Sequence, residues 1–365
     1  MSQRLTGLRR KMSTQGVARA LLVVLGVSLA VCLWISRTPL PDPPPNRAHP
    51  PGTTDAGLYR AIVSRVRSGQ DYTVAAVAEH RRLGYPLRPF FAVRPPALAT
   101  FLAMLPDWKF AVALYAALVL AVVLVWWRRI MASREEVRRW RIVVIAGLVS
   151  GLAIAMLTAP ATTFFTETWA GVLIALSLGL RTDKHFVASV LAGLVAGILR
   201  ELAIPFLGLM SVLALSEQRR WESAAFFSAM LVALALLAEH GLKVSALASP
   251  QDMASQGWVR FGGLAFVLKA INLNIASSAF GLWLAAVLAP LCLLGACSWE
   301  EATARRLFAT LSAYLLAFSI IGRPENDYWG FLIAPLVGLC AGAGPLAVAR
   351  LLRTATRSSD EAAAF

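Results

Sequence analysis

Five short stretches break an otherwise apolar chain, and each carries side chains able to move a proton or hold a phosphate. TTDAGLYRAI holds Asp55, GYPLRPFFAVRPP holds Arg88 and Arg94, and TAPATTFFTETW holds Glu167. LRELAIPF holds the adjacent Arg200 and Glu201, and GRPENDYW holds Arg323, Glu325, Asn326, Asp327 and Tyr328. A carboxylate standing alone can accept a proton as a general base. The planar fork of arginine matches phosphate oxygens. Each stretch also has a plainer reading. Asp55 precedes a helical pattern at Leu58, Ile62, Val63 and Val66, where an N-cap would serve the backbone. The prolines around Arg88 and Arg94 enforce extended backbone, and arginines there could meet lipid head groups. The remaining clusters could be solvated loops.

Other chemistries find little support. His49, His80, His185 and His240 show neither an HExxH motif nor paired metal-ligand spacing. No glycine-rich phosphate loop precedes a helix, and no Asp-x-x-Asp prenyl-diphosphate motif occurs. Cys32, Cys292, Cys297 and Cys340 lie in apolar segments without a CxxC pair, as small core residues do.

The elements that must position the polar stretches are apolar helices. Of 365 residues, 58% are hydrophobic and only 15% charged, with a mean hydropathy of +0.65. At roughly 20 apolar residues per crossing this allows about ten membrane spans. The expected fold class is therefore all-α, a polytopic transmembrane helical protein read as one domain over 1–365. A long extracytoplasmic first loop carries interfacial helices. The net charge of +15 sits in short basic runs between apolar segments. Membrane topology explains those runs better than nucleic-acid binding does.

Spans are expected at 18–36, 108–127, 142–158, 167–180, 223–239, 280–297, 306–321 and 329–349, with a short interfacial helix at 97–106. The apolar run 186–215 is interrupted by Arg200-Glu201 and would be roughly 45 Å long as one helix, against a hydrocarbon core of about 30 Å. Two helices, 186–199 and 202–215, place the charged pair at a turn. That choice also puts Arg219, Arg220, Arg305, Arg306, Arg350, Arg353 and Arg357 on the cytoplasmic side, and leaves Lys243, Arg260, Lys269 and Arg323 outside. Both termini are then cytoplasmic, and all five polar stretches share the outer face. Glu135, Glu136, Glu300 and Glu301 fall on the inner face among arginines, as a solvated surface.

This pattern resembles the glycosyltransferase C superfamily, in its polyprenyl-phosphate-sugar-dependent bacterial form. TTDAGLYRAI followed by RPFFAVRPPALATFLAMLP is similar to the first outer loop of those enzymes, and FTETWAGVLIALSL, LRELAIPF and RPENDYWG are similar to their later motifs. The resemblance implies a bacterial inner-membrane enzyme that moves a hexose or pentose from a polyprenyl-phosphate carrier to a lipid, glycan or protein acceptor. It implies Asp55 as base, with Arg88, Arg94, Arg200 and Arg323 as phosphate ligands. Glu167, Glu201, Asn326, Asp327 and Tyr328 would orient sugar or supply a second acid. A divalent cation fits such chemistry, but where many relatives pair two acids in the first loop, position 53 here is Thr and Asp55 stands alone. A secondary transporter built on broken helices is the competing reading, and it requires two related halves. A non-catalytic scaffold would leave the outer acids without a purpose.

Overall fold

The computed structural model describes residues 2–38, 54–159, 161–255 and 261–356. Among these residues all regular structure is helical, apart from one isolated bridge between Arg88 and Ala254. The Pro-rich stretch 39–51, Thr53, Arg260 and the C-terminal RSSDEAAAF lie outside the described residues.

The helices are α1 (Ser2–Ile35), α2 (Asp55–Arg67), α3 (Tyr72–Leu83), α4 (Pro96–Met104), α5 (Trp108–Ala132), α6 (Glu135–Arg139), α7 (Arg141–Leu157), α8 (Thr166–Leu180), α9 (Val187–Leu199), α10 (Ile204–Ser216), α11 (Arg220–Leu247), α12 (Gly263–Leu273), α13 (Leu282–Ala296), α14 (Glu301–Ile321) and α15 (Ala334–Thr356). Their ends follow local chemistry. Asp71 caps α3 by accepting from the amides of Thr73 and Val74, and Gly84 closes it at φ 67°. Asp107 caps α5, and Pro96 opens α4 with its ring at the first helical position. Five helices are long and apolar enough to cross a membrane: α1 from Thr14, α5, α11, α14 and α15.

Side-chain ties sort the bundle into two ends. One holds Arg94, Glu167, Arg200 and Tyr328 in mutual contact. The other holds Arg181, Glu217, Glu222 and Arg306. Helix α8 joins them, from Glu167 to the Arg181 that follows it, and α10 leads from the Arg200-Glu201 turn to Glu217. The chain reverses at Arg200, whose backbone is extended (φ −145°, ψ 118°). On either side of it Gly193 lies against Leu207 and Gly197 against Ile204, so α9 and α10 form an antiparallel pair. The two-helix expectation for 186–215 therefore matches the fold.

Small residues set the central packing. In α7, Gly147 and Gly151 stand four apart; in α15, so do Gly338 and Gly342. A side chain on Gly338 would lie 2.1 Å from the Gly147 carbonyl oxygen, and one on Gly151 would meet the Ala334 carbonyl. Gly295 of α13 lies equally close to the Cys340 carbonyl. Where both the surroundings and the interior are apolar, such backbone approach lets van der Waals contact hold helices together.

Two of the expected boundaries shift for identifiable reasons. Helix α11 does not end at 239 but continues to Leu247, because Glu239 and Lys243 pair at 2.7 Å one turn apart and Val244 is buried against α2 and α3. The last helix begins at Ala334 rather than 329, since Pro324–Leu332 is 3₁₀ backbone fitted closely to α8 and α12 through Gly171 and Gly330. Not all of the basic runs face solvent. Arg306 bonds Glu217 at 2.6 and 2.8 Å and is buried with Glu222 and Arg181. Arg129 donates to the carbonyls of Leu178, Gly179 and Arg181, closing the C-terminal end of α8. Glu135, Glu136, Glu300 and Glu301 are exposed as expected.

Gly338→Leu should push α7 and α15 apart and cost about 1–3 kcal/mol or more through overpacking, read as a lower thermal midpoint and a lower folded yield. Gly26→Leu, at a site with open space around it, should change neither. Equal behaviour of the two variants would refute the close-packing account.

Candidate functional site

The site forms where the segment before α4, the start of α8 and the α9–α10 turn meet. Glu167 is the second residue of α8 and is fully buried; Arg200 caps α9 and is fully buried as well. Arg200 Nε lies 2.9 Å from Glu167 Oε1, and Arg94 Nη2 lies 3.3 Å from the same oxygen. Glu201 Oε1 takes the other side, paired with Arg200 and 3.9 Å from Arg94 Nη1. Two cations and two anions thus balance in a desolvated space. Their hydrogen-bonding capacity is not used up: Arg94 Nε, Arg200 Nη2 and Glu201 Oε2 make no hydrogen bond among the described residues.

Aromatic hydroxyls frame the cluster. Arg94 Nη2 donates to the Tyr328 hydroxyl at 2.7 Å, and its guanidinium lies about 6 Å from the ring centres of both Tyr328 and Tyr59. The Tyr72 hydroxyl donates to the Arg94 carbonyl at 2.5 Å, fixing the backbone that aims the guanidinium. Beside Arg94, walled by Tyr59, Tyr72 and Thr166, is a cavity of about 20 Å³, enough for one water.

Asp55 is not the cap of α2. Thr54 is, its Oγ1 accepting from the Gly57 amide at 3.1 Å. The threonine one step earlier takes the extended backbone that capping needs, so the aspartate enters the first helical turn with its carboxylate uncommitted to amides. Asp55 is part-exposed, accepts from the Tyr85 hydroxyl at 2.9 Å, and is close enough to Tyr59 and Tyr328 to act on them electrostatically.

Four of the sequence candidates do not join this centre. Arg88 spends its guanidinium on the carbonyls of Pro250 and Asp252, clamping two outer loops. Arg323 pairs with Glu325 and donates to Ser255. Asp327 pairs with Lys269 at 3.0 Å. Asn326 sits at a kink in the 3₁₀ segment, its amide bonded to the Arg323 carbonyl. These are hydrogen-bonded loop anchors in the same layer. Tyr59 and Tyr72 enter the sequence reading only through a spacing similar to the glycosyltransferase loop, and Tyr85 and Thr166 are not among its candidates, because a hydroxyl carries no positional signal until its partner is known.

Comparison with protein-family models, with curated protein sequences and with solved structures returned no match. The likeness to a glycosyltransferase superfamily therefore rests on the motifs, and the site must be judged on its chemistry. No group of three or more His, Cys, Asp or Glu side chains converges among the described residues in a way that could hold a metal ion. Glu167 and Glu201 already face arginines, and Asp55 has no second acid beside it, so these donors do not make a divalent-cation site.

The outer layer has its own small core of Leu58, Ile62, Tyr72, Ala76, Val77, Tyr85, Leu87, Val93 and Val244. Beside it Glu79 is buried between Arg65 and Arg82. Burial alone would raise the Glu79 carboxyl, but hydrogen bonds from Arg82 and Arg65 hold it below the ordinary range. The Arg81 guanidinium holds Asp252 down to about 2. His80 is buried with Nδ1 on the Pro86 carbonyl at 2.9 Å, and burial lowers its pKa from 6.5 to about 4.

The sign for His80 is fixed by which state takes the proton. Unfolded, it protonates near 6.5; folded, only near 4. Its contribution is complete above pH 6.5 and is lost as pH falls through 4, amounting to about 3 kcal/mol. Glu79 and Asp252 act in a lower window. The outer layer should thus lose stability between pH 6.5 and 4, and His80→Gln should flatten that slope. Parallel slopes in thermal midpoints of parent and variant would contradict the assignment.

Proposed function

We propose that the protein is a membrane glycosyltransferase that moves a sugar from a polyprenyl-phosphate carrier to an acceptor hydroxyl on the extracytoplasmic side. The observation that carries the reading is the convergence of Arg94, Glu167, Arg200 and Glu201 under an outer layer that presents Asp55. Charges at such depth in an apolar bundle are expensive and mark function by default. Here two arginines keep unspent donors, which a phosphate monoester or diester could take up.

In this reading the acceptor oxygen attacks the anomeric carbon as the bond from that carbon to the phosphate oxygen breaks. The acceptor proton passes to Asp55, which Tyr85 orients. The electron pair leaves with the polyprenyl phosphate. Donors of Arg94 and Arg200 stabilise the charge that grows on it, with more effect in a dry site than in water. Glu167 and Glu201 hold the two guanidinium groups in place before substrate arrives. Tyr59 and Tyr328 supply flat faces and hydroxyls suited to a sugar.

Helices α1, α5, α7, α8, α9, α10, α11, α13, α14 and α15 would be the ten spans of a bacterial inner-membrane protein. The Arg181–Glu222–Arg306 end would face the cytoplasm with both termini. In a background carrying Cys297→Ser, Gln70→Cys and Arg82→Cys should react with an impermeant thiol reagent from outside intact cells. Lys184→Cys and Glu301→Cys should be protected until the membrane is opened. Labelling of position 184 from outside would reverse the topology and remove the site from the donor's side.

The decisive assay is incubation of purified protein with a panel of polyprenyl-phosphate sugars, reading sugar transfer or release. Asp55→Asn should lower transfer by roughly 10²–10⁴-fold with the thermal midpoint unchanged, since Thr54 does the capping. Thr54→Ala should do the reverse, costing about 1 kcal/mol of stability with near-normal transfer per folded molecule. Near-normal transfer by Asp55→Asn would remove Asp55 as base.

A further inference from the structure

A second cavity lies on the far side of Tyr72 and Pro95 from the arginine cluster. It measures about 460 Å³ and is bounded by α3, α4, α9 and α11. Its floor is apolar, built from Ala97, Gly197, Ala233 and Leu236. Its rim carries Gln70, Asp71, Thr73, Glu239, His240 and Lys243. Along α11 the change is abrupt: Ala233, Leu236 and Leu237 line the floor, and Glu239, His240 and Lys243 follow within two turns. An occupant that fills this groove must be apolar at one end and polar at the other.

The rim chemistry says which polar end. Lys243 is already paired with Glu239 at 2.7 Å. Asp71 also acts on Lys243, and one cation against two carboxylates leaves the rim negative by one charge. His240 is buried, with Nε2 3.0 Å from the Val93 carbonyl. A carbonyl only accepts, so the neutral ring carries its proton on Nε2, and Nδ1 remains as an acceptor. Asp71 uses Oδ1 to cap α3 and keeps Oδ2. Acceptors therefore dominate, with one excess negative charge. Such a rim takes hydroxyl donors and repels phosphate, the opposite of the Arg94–Arg200 side.

We propose that this groove binds a neutral glycolipid from the membrane, with its hydrocarbon tail on the α9–α11 floor and its sugar hydroxyls on Asp71, His240 and Glu239. If transfer is the function, this lipid is the acceptor class. The binding itself rests only on the membrane setting, so glycolipid binding without transfer and transfer without glycolipid binding are separate results.

The test uses full-length protein in a polyoxyethylene detergent, which has no sugar head. Native mass spectrometry compares monoglucosyl diacylglycerol with phosphatidylglycerol of the same acyl chains. The neutral glycolipid should bind at least about tenfold more tightly than this anion. Ala97→Phe, which fills the floor, should lose that binding by a similar factor. Glu239→Lys replaces an exposed ion pair of α11 by two like charges, a change the helix tolerates because its end is also held by buried Val244; it should abolish or invert the preference. Asp71→Asn keeps the cap and should weaken discrimination against phosphatidylglycerol. Equal or tighter binding of phosphatidylglycerol by the parent would overturn the proposal, as would a preference unmoved by Glu239→Lys or glycolipid binding unmoved by Ala97→Phe.

Discussion

A buried charge must bring its partner with it, and that requirement organises this molecule. Arg200 and Glu167 have no contact with solvent, and neither would be tolerated alone in an apolar bundle. Each comes from a different element: Glu167 from the start of α8, Arg200 from the end of α9, Glu201 from the turn that follows, Arg94 from the segment before α4. Bringing them together fixes where α9 turns back, how deep α8 begins, and how the outer layer sits on the bundle. Removing one partner would strand the others, so the cluster holds the fold together even before it is asked to do chemistry.

The opposite end repeats the device with different residues. Glu217 and Glu222 bind Arg181 and Arg306, which ties α8, α11 and α14. There the carboxylates face arginines on several sides, and Arg129 is committed to main-chain carbonyls and the Thr303 hydroxyl, while Arg306 Nε makes no hydrogen bond among the described residues. Between the two ends, close approach of glycines in α7, α13 and α15 supplies the van der Waals contact on which helices with apolar outer faces depend. The two ionic ends fix register, and the glycines fix distance.

Opposite electrostatics distinguish the two sides of Tyr72 and Pro95. One side offers arginine donors in a closed, neutral cluster. The other offers carboxylate and imidazole acceptors above an apolar floor. A donor carrying phosphate and an acceptor carrying hydroxyls would be sorted by charge before either reaches Asp55. Tyr72 belongs to both walls and also holds the Arg94 backbone through its hydroxyl.

The sequence by itself determined the all-helical class, the apolar lengths of the helices, and the reversal at Arg200-Glu201. These follow from composition and from the expense of placing charge in hydrocarbon, both local properties. It also located Arg94, Glu167, Arg200, Glu201 and Tyr328, because isolated charges in apolar surroundings are conspicuous. It could not separate them from Arg88, Arg323, Asn326 and Asp327, which lie in the same layer and look alike in one dimension. Only tertiary structure did that, by giving Arg88 two carbonyls, Asp327 a lysine and Arg323 a glutamate. It likewise moved the cap from Asp55 to Thr54. A charged residue's role is set by which partner claims it first, and partners far apart in sequence meet only once the helices pack.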